Sequence, residues 1–419
     1  MLLLTFEFFI LIWLCFYYLH RKKYITPITF LIFVSYIYIL FTPILYFLKE
    51  PEFMRMVNSF GLFTYVDLVN GYLMYAVFLI IAIYYDRKVI KKLVENESLT
   101  SHAKGKYVGM EGIFFILMIL SVFLILFGMY KYGVYNFYYG YTGNALINIG
   151  AGIGWRSIVI GNLFYYYATT VLLIIKPKKK LIFFILIGVS LSQLFGGARF
   201  MTVSGLIMIL FSYNDFRIRI TKNMIYLMLI FTIMFTFFGA YRSVTDTNEI
   251  NFLSGLLEFS FVSFGYYNLI ASRDFLDVHV FIFLQDSLIF SLPPIFDKYS
   301  YIVREDIIKL YFDSIKDISP VGGTFMLTDF YLYFGWLFFI PIIILMKFLR
   351  SLMYYYSTLH VSRYKIIINA TIGLVSSFFL ISLLRNQVLF SVSMLVKILI
   401  IFLLSILVLQ IKYIYRIKK

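Results

Sequence analysis

The sequence predicts an all-α, polytopic membrane bundle of about eleven transmembrane helices. Three observations carry that reading. Hydrophobic residues make up 62% of the 419 positions and charged residues only 14%, against about 45–50% apolar and about 25% charged in soluble domains. The apolar runs repeatedly reach the roughly 20 residues needed to span hydrocarbon. They are also apolar on every side, which excludes the alternating pattern of a transmembrane barrel. Basic residues fall in short clusters between the runs, as orientation signals do. The formal charge of +16 therefore does not indicate a nucleic-acid partner.

The spans are expected at about 2–19, 25–48, 66–85, 108–130, 157–175, 181–195, 200–213, 224–241, 328–346, 366–384 and 388–410. The first lacks a basic leader, and His20-Arg21-Lys22-Lys23 follows it instead of preceding it, so it reads as a span and not as a cleaved signal. Counting loops alternately, one side holds 24 of the 37 Lys and Arg residues and the other 12, with Lys397 inside the last run. The richer side is the cytoplasm, which puts the N-terminus outside and the C-terminus inside. Spans 181–195 and 200–213 must then go out and return within about fifteen residues each, turning at Gly196-Gly197-Ala198-Arg199. Helices so short place that turn below the outer surface of the bilayer, in a depression.

The chain divides into helices one to eight (1–241), a large extracytoplasmic loop (242–327) and helices nine to eleven (328–419). Within the loop, 252–271 and 278–292 read as helices lying on the membrane or capping the bundle. Residues 297–317 read as an amphipathic surface helix.

Familiar soluble-enzyme motifs are missing. Gly105-Lys106 lacks the rest of a phosphate-binding loop. The four histidines are scattered, so no metal and no cofactor is expected. What stands out is a set of cations at outer helix ends, where the charge bias predicts few. Arg199 lies at the short turn, Arg242 directly follows span eight, and Arg385 occupies the turn between spans ten and eleven. Arg156 opens span five, Arg273 lies in the long loop, and Lys397 lies within the last span. Arginine is a permanently charged planar fork that takes phosphate oxygens bidentately. Several at one depth suit a diphosphate at the membrane surface. Anchoring at lipid headgroups is the plainer alternative for each one singly.

The Gly196-Gly197-Ala198-Arg199 turn between short apolar helices resembles the small-small-Arg turn of bacterial O-antigen (Wzy-type) polysaccharide repeat-unit polymerases. Tyr241-Arg242, opening a long loop, is similar to a second feature of that family. Gly322-Gly323-Thr324, followed by Asp329, Tyr331, Phe334 and Gly335, resembles a third, with Asp where the family more often has Glu. The arginine spacing departs from the family: Arg242 reaches a glycine, Gly255, after twelve residues instead of ten.

The resemblance implies a metal-independent glycosyltransferase of the bacterial plasma (inner) membrane, with its site facing the periplasm or exterior. Its substrate would be an undecaprenyl-diphosphate-linked oligosaccharide, with the lipid bilayer, a chain-length regulator and a flippase as partners. The growing glycan would pass from its lipid diphosphate to an incoming repeat unit, as in lipopolysaccharide or capsule synthesis. Arg199, Arg242 and Arg385, with Arg273, Arg156 and Lys397, would hold the diphosphate. Asp329, His279 or Glu258 would take the acceptor proton, and the sequence does not separate them. An O-antigen ligase, another lipid-linked-sugar transferase, or a flippase for the same lipid are the alternatives.

Overall fold

The computed structural model describes residues 24–95, 110–133, 153–175, 180–194, 199–216, 218–219, 252–272, 325–359, 363–385 and 388–417, with scattered positions in 10–17 and 283–288. The described chain is almost wholly helical. Seven helices are long and apolar enough to cross a membrane: Pro27–Leu48, Tyr65–Glu95, Met110–Tyr132, Arg156–Ile175, Phe339–Thr358, Tyr364–Leu384 and Ser391–Val408. The chain is a multi-pass helical membrane protein. Spans expected at 2–19 and 224–241, and the amphipathic helix at 297–317, lie outside the described residues. Contacts group the chain into two compact units, one of 1–91, 218–350 and 382–393, the other of 92–217, 351–381 and 394–419.

In the first unit, strand β1 (Tyr24–Ile25) pairs antiparallel with β2 (Ile218–Arg219). The segments beside two basic clusters, Arg21–Lys23 and Arg217–Lys222, thus meet at one end of the unit. Helix α1 (Pro27–Leu48) starts with Pro27 at its first turn and a reciprocal cap: Thr26 accepts from the Thr29 amide, and Thr29 from the Thr26 amide. Both threonines also donate to buried Asp86, Thr29 at 3.0 Å. Asp86 belongs to α3 (Tyr65–Glu95), so one carboxylate ties the start of α1 to the far part of α3. Between them, α2 (Pro51–Phe60) is a short helix that the apolar runs did not announce, capped by Glu50 on the Phe53 amide at 2.6 Å.

Chain order continues in the second unit with α4 (Met110–Tyr132), α5 (Ile153–Ile175), α6 (Lys180–Leu194) and α7 (Arg199–Tyr213). Helices α4 and α5 approach closely because glycines line the seam. A Cβ on Gly128 would meet the Gly154 carbonyl oxygen at 2.7 Å and the Ile158 amide nitrogen at 2.8 Å. Small residues that let backbones touch are the usual means of helix association in lipid, where tails compete for apolar contact. Helices α6 and α7 have 15 residues each, as expected.

Helix α8 (Phe252–Ser272) corrects a surface reading. It packs into the first unit at the middle of α1: Ser263 donates to the Tyr38 carbonyl at 2.8 Å and shares a 2.6 Å hydroxyl bond with Thr42. Tyr266 donates to the Gly71 carbonyl at 2.9 Å, and Asn268 accepts from the Leu62 amide at 2.9 Å. The polar positions that suggested a wet face are instead the groups that bond α8 to α1 and α3.

The run expected at 328–346 is divided. Helix α9 (Met326–Phe334) ends at Gly335, whose φ of 54° suits glycine. A 3₁₀ turn, Gly335–Leu337, then leads to α10 (Phe339–Thr358). Hydropathy alone cannot see this break, because the residues on both sides are apolar. Lys347 and Arg350, read as loop residues, lie within α10; Arg350 sits over the Tyr85 ring at 5.4 Å. The chain closes with α11 (Arg363–Leu374), a five-residue π-helical stretch (Val375–Phe379), α12 (Leu380–Arg385) and α13 (Val388–Ile417).

Two measurements test this packing. Asp86→Ala strips two hydroxyl donors of their acceptor, and we expect it to lower stability in detergent by about 2 kcal/mol. Gly128→Ala forces backbone against backbone and should cost about 1–3 kcal/mol in the same unfolding assay. An unchanged melting curve for either would contradict the contacts described.

Candidate functional site

Uncharged polar side chains gather inside the second unit around the α6–α7 hairpin. Helix α5 contributes Asn162, Tyr166 and Thr170, spaced by four and therefore sharing a face. The Tyr166 hydroxyl shares a 3.2 Å bond with Ser190 of α6. Its ring lies against Gly205 of α7, where any Cβ would overlap it, and 6.0 Å from the Phe378 ring of the π stretch. Across the hairpin, Thr202 donates to the Gln193 side-chain oxygen at 3.3 Å. That bond joins the last turn of α6 to the first turns of α7.

Four buried polar atoms here have no hydrogen-bond partner: Asn162 Oδ1, Gln193 Nε2, Ser204 Oγ and Ser376 Oγ. Gln193 and Ser204 are 0% exposed. An unpaired polar group in an apolar interior costs about 1–3 kcal/mol, so buried groups are normally satisfied. Four within neighbouring helices of one unit form a hydrogen-bonding capacity that packing leaves unused. Ser376 stands in the π-helical stretch, a geometry rare in helices and frequent at functional sites.

The opposite end of α7 shows what a satisfied polar cluster looks like in the same unit. Asn369 Nδ2 donates to the Ser212 carbonyl at 3.1 Å and Asp215 Oδ1 at 2.9 Å, and Tyr356 donates to the same carboxylate oxygen at 2.6 Å. Asp215 and Phe216 adopt left-handed φ values of 52° and 58°, which end α7 and seat Phe216 edge-on to Tyr356. This cluster is a structural clasp.

The residues proposed from sequence are distributed as follows. Arg199 is the first residue of α7, three before Thr202, and its side chain lies outside the described residues. Arg156 is half-buried in the first turns of α5, and Lys397 half-buried in α13; both belong to the second unit. Arg385 ends α12 and Glu258 lies on α8, both with side chains outside the described residues. Arg242, Arg273 and His279 lie wholly outside them. Asp329 is 1% exposed in the first turn of α9, beside Thr328, whose hydroxyl is buried and unpartnered. No group of three or more His, Cys, Asp or Glu able to hold a metal occurs among the described residues.

Sequence reasoning passed over Asn162, Tyr166, Gln193, Thr202, Ser204 and Ser376. The available signal was a glutamine in an otherwise apolar run, because a primary amide in hydrocarbon is expensive. No family model, curated protein or solved structure matches the chain.

The clasp and the unsatisfied cluster should respond differently to mutation. We expect Asn369→Leu to cost about 2–3 kcal/mol, since it strands a partly buried carboxylate and a carbonyl, and Tyr356→Phe about 1 kcal/mol. Chemical or thermal unfolding in detergent measures both. Equal, negligible effects would remove the clasp.

Proposed function

We propose that this chain is a membrane glycosyltransferase that polymerises undecaprenyl-diphosphate-linked oligosaccharide repeat units on the outer face of the bacterial plasma membrane. The observation that carries the reading is the α6–α7 hairpin. Each helix has 15 residues, about 22 Å at 1.5 Å per residue, against roughly 30 Å of hydrocarbon. Their turn, carrying Arg199, therefore stops short of one membrane surface, next to buried polar groups that have unused hydrogen-bonding capacity. An arginine at that depth is costly unless an anion meets it.

The proposed topology has eleven crossings, with the N-terminus outside and the C-terminus in the cytoplasm. The β1–β2 pair supports one part of it by joining segments next to two basic clusters assigned to the cytoplasm.

In the proposed reaction the acceptor sugar hydroxyl attacks the anomeric carbon of the growing glycan. The bond from that carbon to the phosphate oxygen breaks, and undecaprenyl diphosphate leaves with the electron pair. Arg199, with Arg242 and Arg385, neutralises the charge growing on the leaving oxygen, which is stabilisation by donors already in place. A carboxylate or His279 takes the hydroxyl proton. Among the carboxylates, buried Asp329 with its neighbouring Thr328 hydroxyl fits a base held in a dry environment better than a solvated loop residue would. The leaving lipid diphosphate supplies the driving force, so no nucleotide site is required.

Arg199→Ala in the native host, at unchanged protein level in the membrane, should leave surface glycans one repeat unit long. Arg199→Lys keeps the charge but loses the fork and should shorten chains without abolishing them. Glycan length on a gel reads both. Polymer of normal length from Arg199→Ala would reject the assignment of this arginine.

A further inference from the structure

The end of α6 adds a second anchoring group to the turn. Helix α7 begins at Arg199, and the residue before it is Ala198, whose side chain has no acceptor for the helix's leading amides. The first-turn amides of any helix lack carbonyl partners within it and carry partial positive charge. A side-chain oxygen from Ser, Thr, Asp or Asn normally caps them; alanine cannot. Such an end favours an anion.

An independent observation points to a ligand at this end. Gln193 is 0% exposed, and its carboxamide oxygen is held by the Thr202 hydroxyl at 3.3 Å. That bond fixes the planar amide across the hairpin from the early turns of α7. Its nitrogen, a donor of two hydrogens, has no partner. A buried primary amide with a satisfied acceptor and an idle donor is matched by an acceptor-only ligand.

We infer that Gln193 Nε2 and the leading amides of α7 together bind a phosphate group of the diphosphate, with Gln193 as a substrate-binding residue beside Arg199. The inference rests on the diphosphate reading of Arg199 given above. The donor set distributes the work: Arg199 provides full charge, the helix end partial charge, and Gln193 a neutral directional hydrogen bond. Thr202 is a positioning residue, since it orients the amide and does not face the ligand with its donated hydrogen.

The test uses full-length protein in nanodiscs, titrated separately with inorganic pyrophosphate, undecaprenyl diphosphate and undecaprenol, with binding read by calorimetry and by ligand-induced change in melting temperature. Wild-type protein should bind both diphosphates and not the alcohol. Binding of the lipid form alone would place the ligand's source in the membrane, and binding of both would place recognition in the diphosphate itself. Gln193→Met fills the same space without a donor, and we expect its Kd for undecaprenyl diphosphate to rise about tenfold, as loss of one hydrogen bond to a charged group implies. Without ligand, its melting temperature should equal or exceed that of wild type, because an unpaired buried amide has been removed. Gln193→Glu should bind more weakly than Gln193→Met, because it sets a carboxylate against phosphate.

If Arg199→Ala abolishes binding while Gln193→Met and Gln193→Glu bind as wild type, the role of Gln193 is overturned and the Arg199 reading survives. Equal weakening by Gln193→Met and Thr202→Val, with a falling melting temperature for both, would make Gln193 a hairpin brace and overturn the inference. If wild-type protein binds neither diphosphate, or Arg199→Ala binds as wild type, the diphosphate reading itself fails.

Discussion

Hydrocarbon offers no hydrogen bond, so every polar group this chain carries into the membrane must find its partner within the protein or bring a ligand there. Much of the first unit is organised by that requirement. Asp86 collects the hydroxyls of Thr26 and Thr29 and thereby fixes where α1 begins. Ser263 and Thr42 hold α8 against α1, and Tyr266 reaches the carbonyl of Gly71, where the absence of a side chain admits the neighbouring Tyr267 ring. These are short-range, directional contacts in a medium where apolar burial alone discriminates poorly between neighbours. They decide which helix packs against which.

Against that background, unsatisfied groups acquire meaning from their neighbours. In the second unit the clasp at the end of α7 uses the Asn369 amide hydrogens fully, so the fold is capable of pairing a buried carboxamide. At the other end of the same helix, Gln193 is left with an idle donor. One helix therefore carries both outcomes, which argues against a general looseness of packing. The contrast follows the helix ends: the clasp closes a carbonyl-bearing end with Asn and Tyr donors, whereas the amide-bearing end, which needs an acceptor, receives another donor.

Much of this architecture was legible in the sequence, for a definite reason. Runs of apolar residues bounded by charge mark helices in lipid, and α1, α4, α5, α6, α7, α11 and α13 fall where those runs predict. The short hairpin was legible too, because two basic clusters on one side force the intervening chain to turn back. Three features were not. The break at Gly335 depends on a positive φ inside an apolar stretch, to which hydropathy is blind. Helix α2 is too short and too polar to register as a run. Helix α8 was read as a surface element because its serines and asparagine looked solvent-facing, whereas they face α1 and the start of α3. The arginines were found because charge in an apolar chain is conspicuous. Gln193 and Ser204 were missed because neutral polar residues inside helices are common, and only coordinates distinguish a paired one from an idle one.

The idle donor also bears on how a membrane enzyme of this kind could tolerate its own site between turnovers. A cluster of arginines strong enough to hold a diphosphate is costly when empty, since each buried charge lacks a counterion and repels the others. A helix end and a neutral amide contribute to anion binding without that penalty: the dipole is already built into the backbone, and an unpaired amide costs far less than an unpaired guanidinium. Distributing recognition over one full charge, one helix end and one neutral donor lowers the cost of the empty state more than that of the occupied one. It also favours release, because the neutral bond weakens steeply once the phosphate shifts. A leaving group that must depart after every transfer is better held by such a mixture than by charge alone.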